Sequence, residues 1–122
     1  MQTITIKDKV IPLLFDMAAF GEIEETVGSL ADLNAVLNGE KRIKSLIKII
    51  TIMGNQGLEE NGEKPTLDEK WVGRNLKPYM LAECQMAVVS AISEGMKMET
   101  EDDGKERDLV LEEIEKKSET ER

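Results

Sequence analysis

The stretch from Glu40 to Met53, EKRIKSLIKIITIM, constrains the fold of this chain more than any other. Its apolar residues recur at spacings of three and four, which is the pattern of one helix face. The members of this stripe are Ile43, Leu46, Ile47, Ile50 and Met53. Ile49 and Ile52 widen the stripe on one flank. A stripe that wide predicts burial on more than one side, either at the centre of a helical domain or against another chain.

The N-terminal segment has the alternation of a β-hairpin rather than a helix. Residues 3–6 alternate polar and apolar side chains, residues 11–15 do so in part, and the charged residues 7–9 between them predict a tight connection. Pro12 cannot donate a hydrogen bond to a neighbouring strand, so its strand is expected at an edge. The hairpin is expected to precede the helices directly.

Four further helices are predicted from apolar periodicity and from capping residues. Their ranges are 16–27, 30–37, 66–76 and 78–96. The run Gly54-Asn55-Gln56-Gly57 is interpreted as the end of the apolar helix and the start of a loop, because clustered glycines are typical of helix ends. Thr66 and Glu69 have the spacing of a capping box and predict the start of the next helix.

The chain length and charge distribution predict one folded domain followed by a tail. A chain of 122 residues has room for a single core. The net charge of −9 is distributed unevenly along the chain. Residues 99–122 combine 11 acidic with 5 basic side chains and so carry −6. The expected organisation is a mainly α domain over residues 1–98, with about five helices and an N-terminal hairpin. Residues 99–122 are expected to form a mobile acidic tail.

The composition also excludes several classes of function. A net negative charge repels phosphate backbones and anionic lipid, so neither nucleic acid nor membrane is expected as a partner, and a basic protein is the easier one to accommodate. Cys84 is the single cysteine and no secretory signal opens the sequence, which predicts a reducing, cytoplasmic environment. The absence of histidine removes histidine-based catalysis and histidine-ligated metal sites.

The acidic cluster of Glu22, Glu24 and Glu25 is the strongest candidate for chemistry. A carboxylate metal site would need further ligands on a second helix, and no Glu-x-x-His pair exists to supply them. The cluster is therefore interpreted as the solvated face of a helix. Cys84 lies among apolar residues and is interpreted as a buried structural thiol. No catalytic, metal-ligating or cofactor-binding residue is predicted, and the protein is not expected to be an enzyme or to hold a cofactor.

The order of these features resembles the phage tail assembly chaperones of siphophages and prophages of Gram-positive bacteria. The resemblance covers about residues 3–98 and rests on the hairpin start TITIKDKVIPLLFDM, the helix-glycine-helix segment IEETVGSLADL and the apolar helix IKSLIKIITIMGNQGLE. An acid-capped helix beginning at TLDE and a last helix ending in AISEGM complete it. Each piece is common by itself, and their order and spacing carry the resemblance.

The resemblance implies a non-enzymatic protein that acts in the cytoplasm of the bacterial host during tail assembly. Such chaperones coat the long, hydrophobic tape measure protein and keep it soluble, and in some of them a longer form recruits the tail tube protein. Two alternatives remain open at this point. One is a head–tail joining or tail-completion component of the virion, and the other is an acidic mimic of DNA that inhibits a nucleic-acid-binding protein.

The predicted binding surface follows from the width of the apolar stripe. Ile49 and Ile52 are expected to face outward, where a client or a second copy of the chain would cover them. Most of the methionines are interpreted as core residues, but methionine side chains also adapt to irregular partners, so Met80 and Met96 are expected to extend this surface. The predicted partner-binding residues are therefore Ile49, Ile52, Met80 and Met96.

Overall fold

The computed structural model describes residues 1–97 and has the predicted fold class, mainly helical with an N-terminal two-stranded antiparallel hairpin. The elements in chain order are β1 (Gln2–Ile6), β2 (Lys9–Leu13), α1 (Met17–Thr26), α2 (Leu33–Asn38), α3 (Arg42–Glu60), α4 (Glu69–Asn75) and α5 (Leu81–Met96). Short 3₁₀ turns, Leu30–Asp32 and Pro78–Met80, precede α2 and α5. The predicted acidic tail, residues 99–122, lies outside the described residues.

The hairpin turns through two residues and packs one face on the helices. Lys7 and Asp8 have φ values of 51° and 65°, the left-handed conformation that a two-residue hairpin loop requires. Ile4 lies opposite Ile11 in the register, and both are buried. Val10 points to the other face and is 59% exposed. The alternation seen in the sequence therefore separates a core-facing side of the hairpin from a solvent-facing side.

The helix α1 begins and ends at the predicted residues. Asp16 caps its N-terminus, and its carboxylate accepts a hydrogen bond of 2.8 Å from the Ala19 amide. Gly28 follows the C-terminus with a φ of 135°, and its amide donates to the Ile23 carbonyl oxygen at 3.2 Å. Ser29 then accepts from the Ala31 amide at 3.2 Å and caps the turn that leads into α2.

The central helix α3 is longer than the sequence predicts, and the expectation of a loop from Gly54 onward is wrong. The helix runs without interruption to Glu60. A Cβ atom at Gly54 would lie 2.5 Å from the Leu67 side chain, and one at Gly57 would overlap the Pro12 carbonyl oxygen. The two glycines therefore let β2 and the chain before α4 approach the helix backbone closely. They are packing residues and do not end the helix.

A side-chain amide on α3 holds the connection to α4. Asn55 donates to the Leu67 carbonyl oxygen at 2.9 Å and accepts from the Leu67 amide at 2.9 Å, so it pairs with the backbone as a neighbouring strand would. Asp68 then caps α4 and accepts from the Trp71 amide at 2.7 Å. The predicted capping box at Thr66 is wrong, because Asp68 supplies the cap and α4 begins at Glu69.

Replacing Asn55 with alanine is expected to lower the free energy of unfolding by about 2 kcal/mol, since it leaves two partly buried backbone groups of Leu67 without their partner. Urea unfolding followed by circular dichroism measures the change. Asn75→Ala is the control, because the Asn75 side chain donates to the Trp71 carbonyl within its own helix. If Asn55→Ala lowers the free energy of unfolding no more than Asn75→Ala does, the Asn55 side chain does not stabilise the connection to α4.

The core surrounds α3, which packs against the hairpin, α1, α2, α4 and α5. The helix α5 lies across the hairpin, and Gly95 at its end comes close to the Phe15 backbone and ring. The largest fully buried side chains are Ile6, Ile11, Leu13, Ile23, Leu46, Ile49, Ile50, Met53, Leu58, Val72, Val88 and Cys84. Aliphatic side chains therefore form most of the core. Phe15 and Phe20 contribute one aromatic pair, with ring centroids 5.5 Å apart.

Candidate functional site

An open apolar groove lies between the first half of α3, α4 and the start of α5. Its volume is about 450 Å³. The lining residues are Ile43, Leu46, Ile47, Gly73, Arg74, Leu76, Lys77, Pro78 and Leu81. Leu46 is buried and forms the floor, while Ile43 at the edge keeps 46% of its surface exposed. The groove is thus an aliphatic surface that the described residues leave accessible to a partner.

The local sequence explains why the groove exists. The helix α4 ends at Asn75, and Pro78 opens the 3₁₀ turn that leads into α5, so the chain changes direction beside the N-terminal half of α3. Gly73 has no side chain to fill the space toward Ile47, and a Cβ there would lie 3.5 Å from the Ile47 Cδ1 atom. Ile43 and Ile47 are one helical turn apart and border this space.

The charged residues that line the groove are both cations. Arg74 and Lys77 are exposed, and neither has a salt-bridge partner among residues 1–97. Lys77 also borders a neighbouring depression together with Lys7 and Asp8 of the hairpin turn. The N-terminus of α3 adds to the positive potential, because it has no side-chain cap and no acidic residue in its first turn. An acidic protein therefore carries a locally basic groove.

The expectation that Ile49 and Ile52 face outward is wrong. Ile49 is 0% exposed and Ile52 is 9% exposed, because other elements of the same domain enclose the middle of α3. The extension of α3 to Glu60 adds Gly54, Gly57 and Leu58 to the buried residues, and the hairpin, α1, α2, α4 and α5 all contact this helix. The flank carrying Ile49 and Ile52 is part of the core.

Neither predicted methionine lines the groove, and the two lie at opposite ends of α5. Met80 is half-buried and packs against the core, whereas Met96 is 54% exposed at the end of α5. Met86 is 71% exposed and forms a separate shallow patch with Val89 beside Leu37 of α2. The structure therefore does not bring the four predicted partner-binding residues together into one surface.

Sequence reasoning missed Ile43 and Ile47 as surface residues because they belong to the same apolar stripe as Leu46 and Ile50. One signal was available in the sequence. Ile43 lies in the first turn of α3, next to Lys41, Arg42 and Lys44, and helix ends have fewer neighbours than helix centres. An apolar residue among cations at a helix end is a candidate for the edge of a groove.

The glutamate cluster and Cys84 show no feature of a reactive site. Glu22, Glu24 and Glu25 are all exposed on α1. Within residues 1–97, no group of three potential ligands is placed to hold a metal ion.

Cys84 is buried, as predicted. Burial raises the pKa of its thiol above the ordinary value, and the neighbouring Glu83 carboxylate raises this pKa further, so the nucleophilic thiolate is disfavoured.

The raised pKa of Cys84 predicts a loss of stability at alkaline pH. An unfolded chain releases the thiol proton above a pKa of about 8.5, whereas the folded chain retains it, so the free energy of unfolding should fall as pH rises through that value. Urea unfolding at neutral and alkaline pH measures this fall. The Cys84→Ala variant should show a shallower decline, and an equal decline in both chains would contradict the assignment to Cys84.

Within residues 1–97, no helix has the length and apolar character to cross a bilayer. The longest helix, α3, combines its apolar residues with Lys44, Lys48 and Glu59. No family model, curated protein or solved structure matches this chain.

Proposed function

We propose that this protein is a phage tail assembly chaperone that binds helical segments of the tape measure protein and keeps them soluble in the host cytoplasm until the tail tube forms around them. The proposal is supported by the apolar groove at Ile43 and Ile47, which offers a partner helix an aliphatic surface on a well-packed scaffold. The order of the hairpin and helices, which resembles that chaperone family, supports it as well.

The groove suits a holding function better than a chemical one. Its lining is mostly aliphatic, and the two charged side chains in it are cations with no acid or nucleophile beside them in the groove. Such a surface can cover exposed apolar residues of a client and release them, because binding relies on the burial of apolar area. We therefore propose a non-enzymatic role without a cofactor.

Co-expression with fragments of a tape measure protein tests the proposal. The chain should keep a fragment in the soluble fraction and elute with it in size-exclusion chromatography. Ile43→Asp should lose this activity, because it places a charge on the apolar edge of the groove. Val10→Asp is the matched control, since Val10 is an exposed aliphatic residue on the hairpin and does not line the groove.

Three results would overturn the proposal. If the fragment is soluble but does not co-elute with the chain, the two do not form a complex. If Ile43→Asp and Val10→Asp keep equal amounts of fragment soluble, the groove is not the binding surface. Stoichiometric amounts of the chain in purified, infectious particles would identify it as a structural component of the virion, such as a head–tail joining protein.

A further inference from the structure

We infer that the groove selects client helices with acidic residues beside their apolar face, although the net charge of the chain favours basic partners. This inference rests on the proposed function, because it specifies the chemistry of the client that the groove binds. The whole chain carries −9, and long-range attraction by that charge would favour a basic partner. Residues in contact with a docked helix experience mainly the local charge, since solvent ions screen more distant groups.

The shape and lining of the groove fit one face of a helix. Ile43 and Ile47, one turn apart, line the groove from α3, and Leu76 and Leu81 line it from the end of α4 and the start of α5. Side chains one turn apart on a helix accept the side chains of a partner helix between them. The partner must therefore present aliphatic residues at spacings of three and four, as in other complexes in which a helix occupies an apolar groove.

The rim of the groove determines which charges can flank those aliphatic residues. Arg74 and Lys77 are exposed and unpaired within the described part of the chain, so both are available to carboxylates of a partner. A basic helix docked here would bring its cations close to Arg74 and Lys77, and such like-charge contacts suppress wrong partners.

The positive end of α3 strengthens the same preference. Lys41 and Arg42 lie at the helix N-terminus, where cations oppose the helix dipole and acidic residues would stabilise the helix. No acidic residue occupies the first turn, and no side chain caps it. Glu40 directly precedes this turn in the sequence, and a docked helix with carboxylates near this end would add further negative charge there.

Two synthetic peptides of about five helical turns test the inference on the full chain. Both carry leucine on one face, and the remaining positions alternate glutamine with glutamate in one peptide and glutamine with lysine in the other. Fluorescence anisotropy should show that the glutamate peptide binds at least about tenfold more tightly than the lysine peptide. Salt should weaken its binding, and Ile43→Asp should abolish it.

Two charge-reversal variants test whether Arg74 and Lys77 cause the preference for the glutamate peptide. The double variant Arg74→Glu with Lys77→Glu should reverse the order of the two peptides. The double variant Lys64→Glu with Lys97→Glu changes the net charge of the chain equally, but outside the groove, and should preserve the order. If the glutamate peptide still binds more tightly than the lysine peptide in both double variants, the inference is wrong.

Other outcomes assign the groove differently and overturn the inference in distinguishable ways. Equal or tighter binding of the lysine peptide, or no binding of either, would exclude acidic selection, while co-solubilisation of a tape measure fragment could still support the proposed function. Concentration-dependent self-association that Ile43→Asp abolishes would assign it to a second copy of the chain.

Discussion

Replacing Gly57 with alanine is expected to destabilise the domain by about 3 kcal/mol, although alanine is the better helix former. The added methyl group would overlap the Pro12 carbonyl oxygen, which belongs to the backbone of β2 and cannot move away as a flexible side chain can. Relief of the overlap requires the hairpin and α3 to separate. Because Ile11 and Leu13 are buried at this contact, separation would expose part of the core.

Gly21→Ala provides the matched control for this prediction. Gly21 lies inside α1 and is exposed, and an added Cβ atom there would have no neighbour within 4 Å. The same substitution should therefore stabilise the domain by about 0.5–1 kcal/mol through helix propensity. Thermal unfolding should show a midpoint lowered by roughly 10 °C or more for Gly57→Ala and slightly raised for Gly21→Ala. Similar midpoints for the two variants would contradict a close backbone contact at Gly57.

The sequence predicted those elements whose signals are local. The ends of α1 depend on Asp16 and Gly28, and both act within one helical turn, so their roles can be recognised from neighbouring residues. The hairpin likewise follows from alternation over a few positions. Burial of Cys84 follows from its place on the apolar side of α5. Each of these features is determined by residues that are close in sequence.

The features that were predicted wrongly depend on residues that are distant in sequence. Gly57 is typical of a helix end unless the approach of Pro12, 45 residues earlier, is known. Asn55 belongs to a loop by composition, yet its two bonds to Leu67 make it a tertiary clamp. Ile49 becomes a core residue because α3 is enclosed by the rest of the domain. Periodicity identifies an apolar face but does not specify which part of that face remains uncovered.

The groove could not be predicted from the sequence for the same reason. Ile47, Gly73 and Leu81 come from three helices, and their proximity depends on the turn between α4 and α5. The net charge does not reveal the groove either, because Arg74 and Lys77 are a small part of the total although they are the charged residues that line it. A surface of this size is determined by its local residues, so average composition carries little information about the partner.

Replacing Ile49 with aspartate is expected to unfold the domain, whereas the same change at Ile43 should leave it folded. Ile49 is fully buried, and an unpaired carboxylate there should cost more than about 4 kcal/mol, a large part of the roughly 5–15 kcal/mol that stabilises a typical domain. Ile43 is 46% exposed in the first turn of α3, where a carboxylate also interacts favourably with the helix dipole. Its substitution should change stability by about 1 kcal/mol or less.

Circular dichroism and size-exclusion chromatography of the two purified variants test this contrast. Ile49→Asp should lose its helical signal or aggregate, and Ile43→Asp should match the parent chain in both measurements. Folded Ile49→Asp would mean that the middle of α3 is open on one flank, as the sequence alone predicted. Unfolded Ile43→Asp would mean that the groove edge belongs to the core. With a folded Ile43→Asp chain, any loss of client binding reports on the groove itself, because the scaffold that presents it is intact.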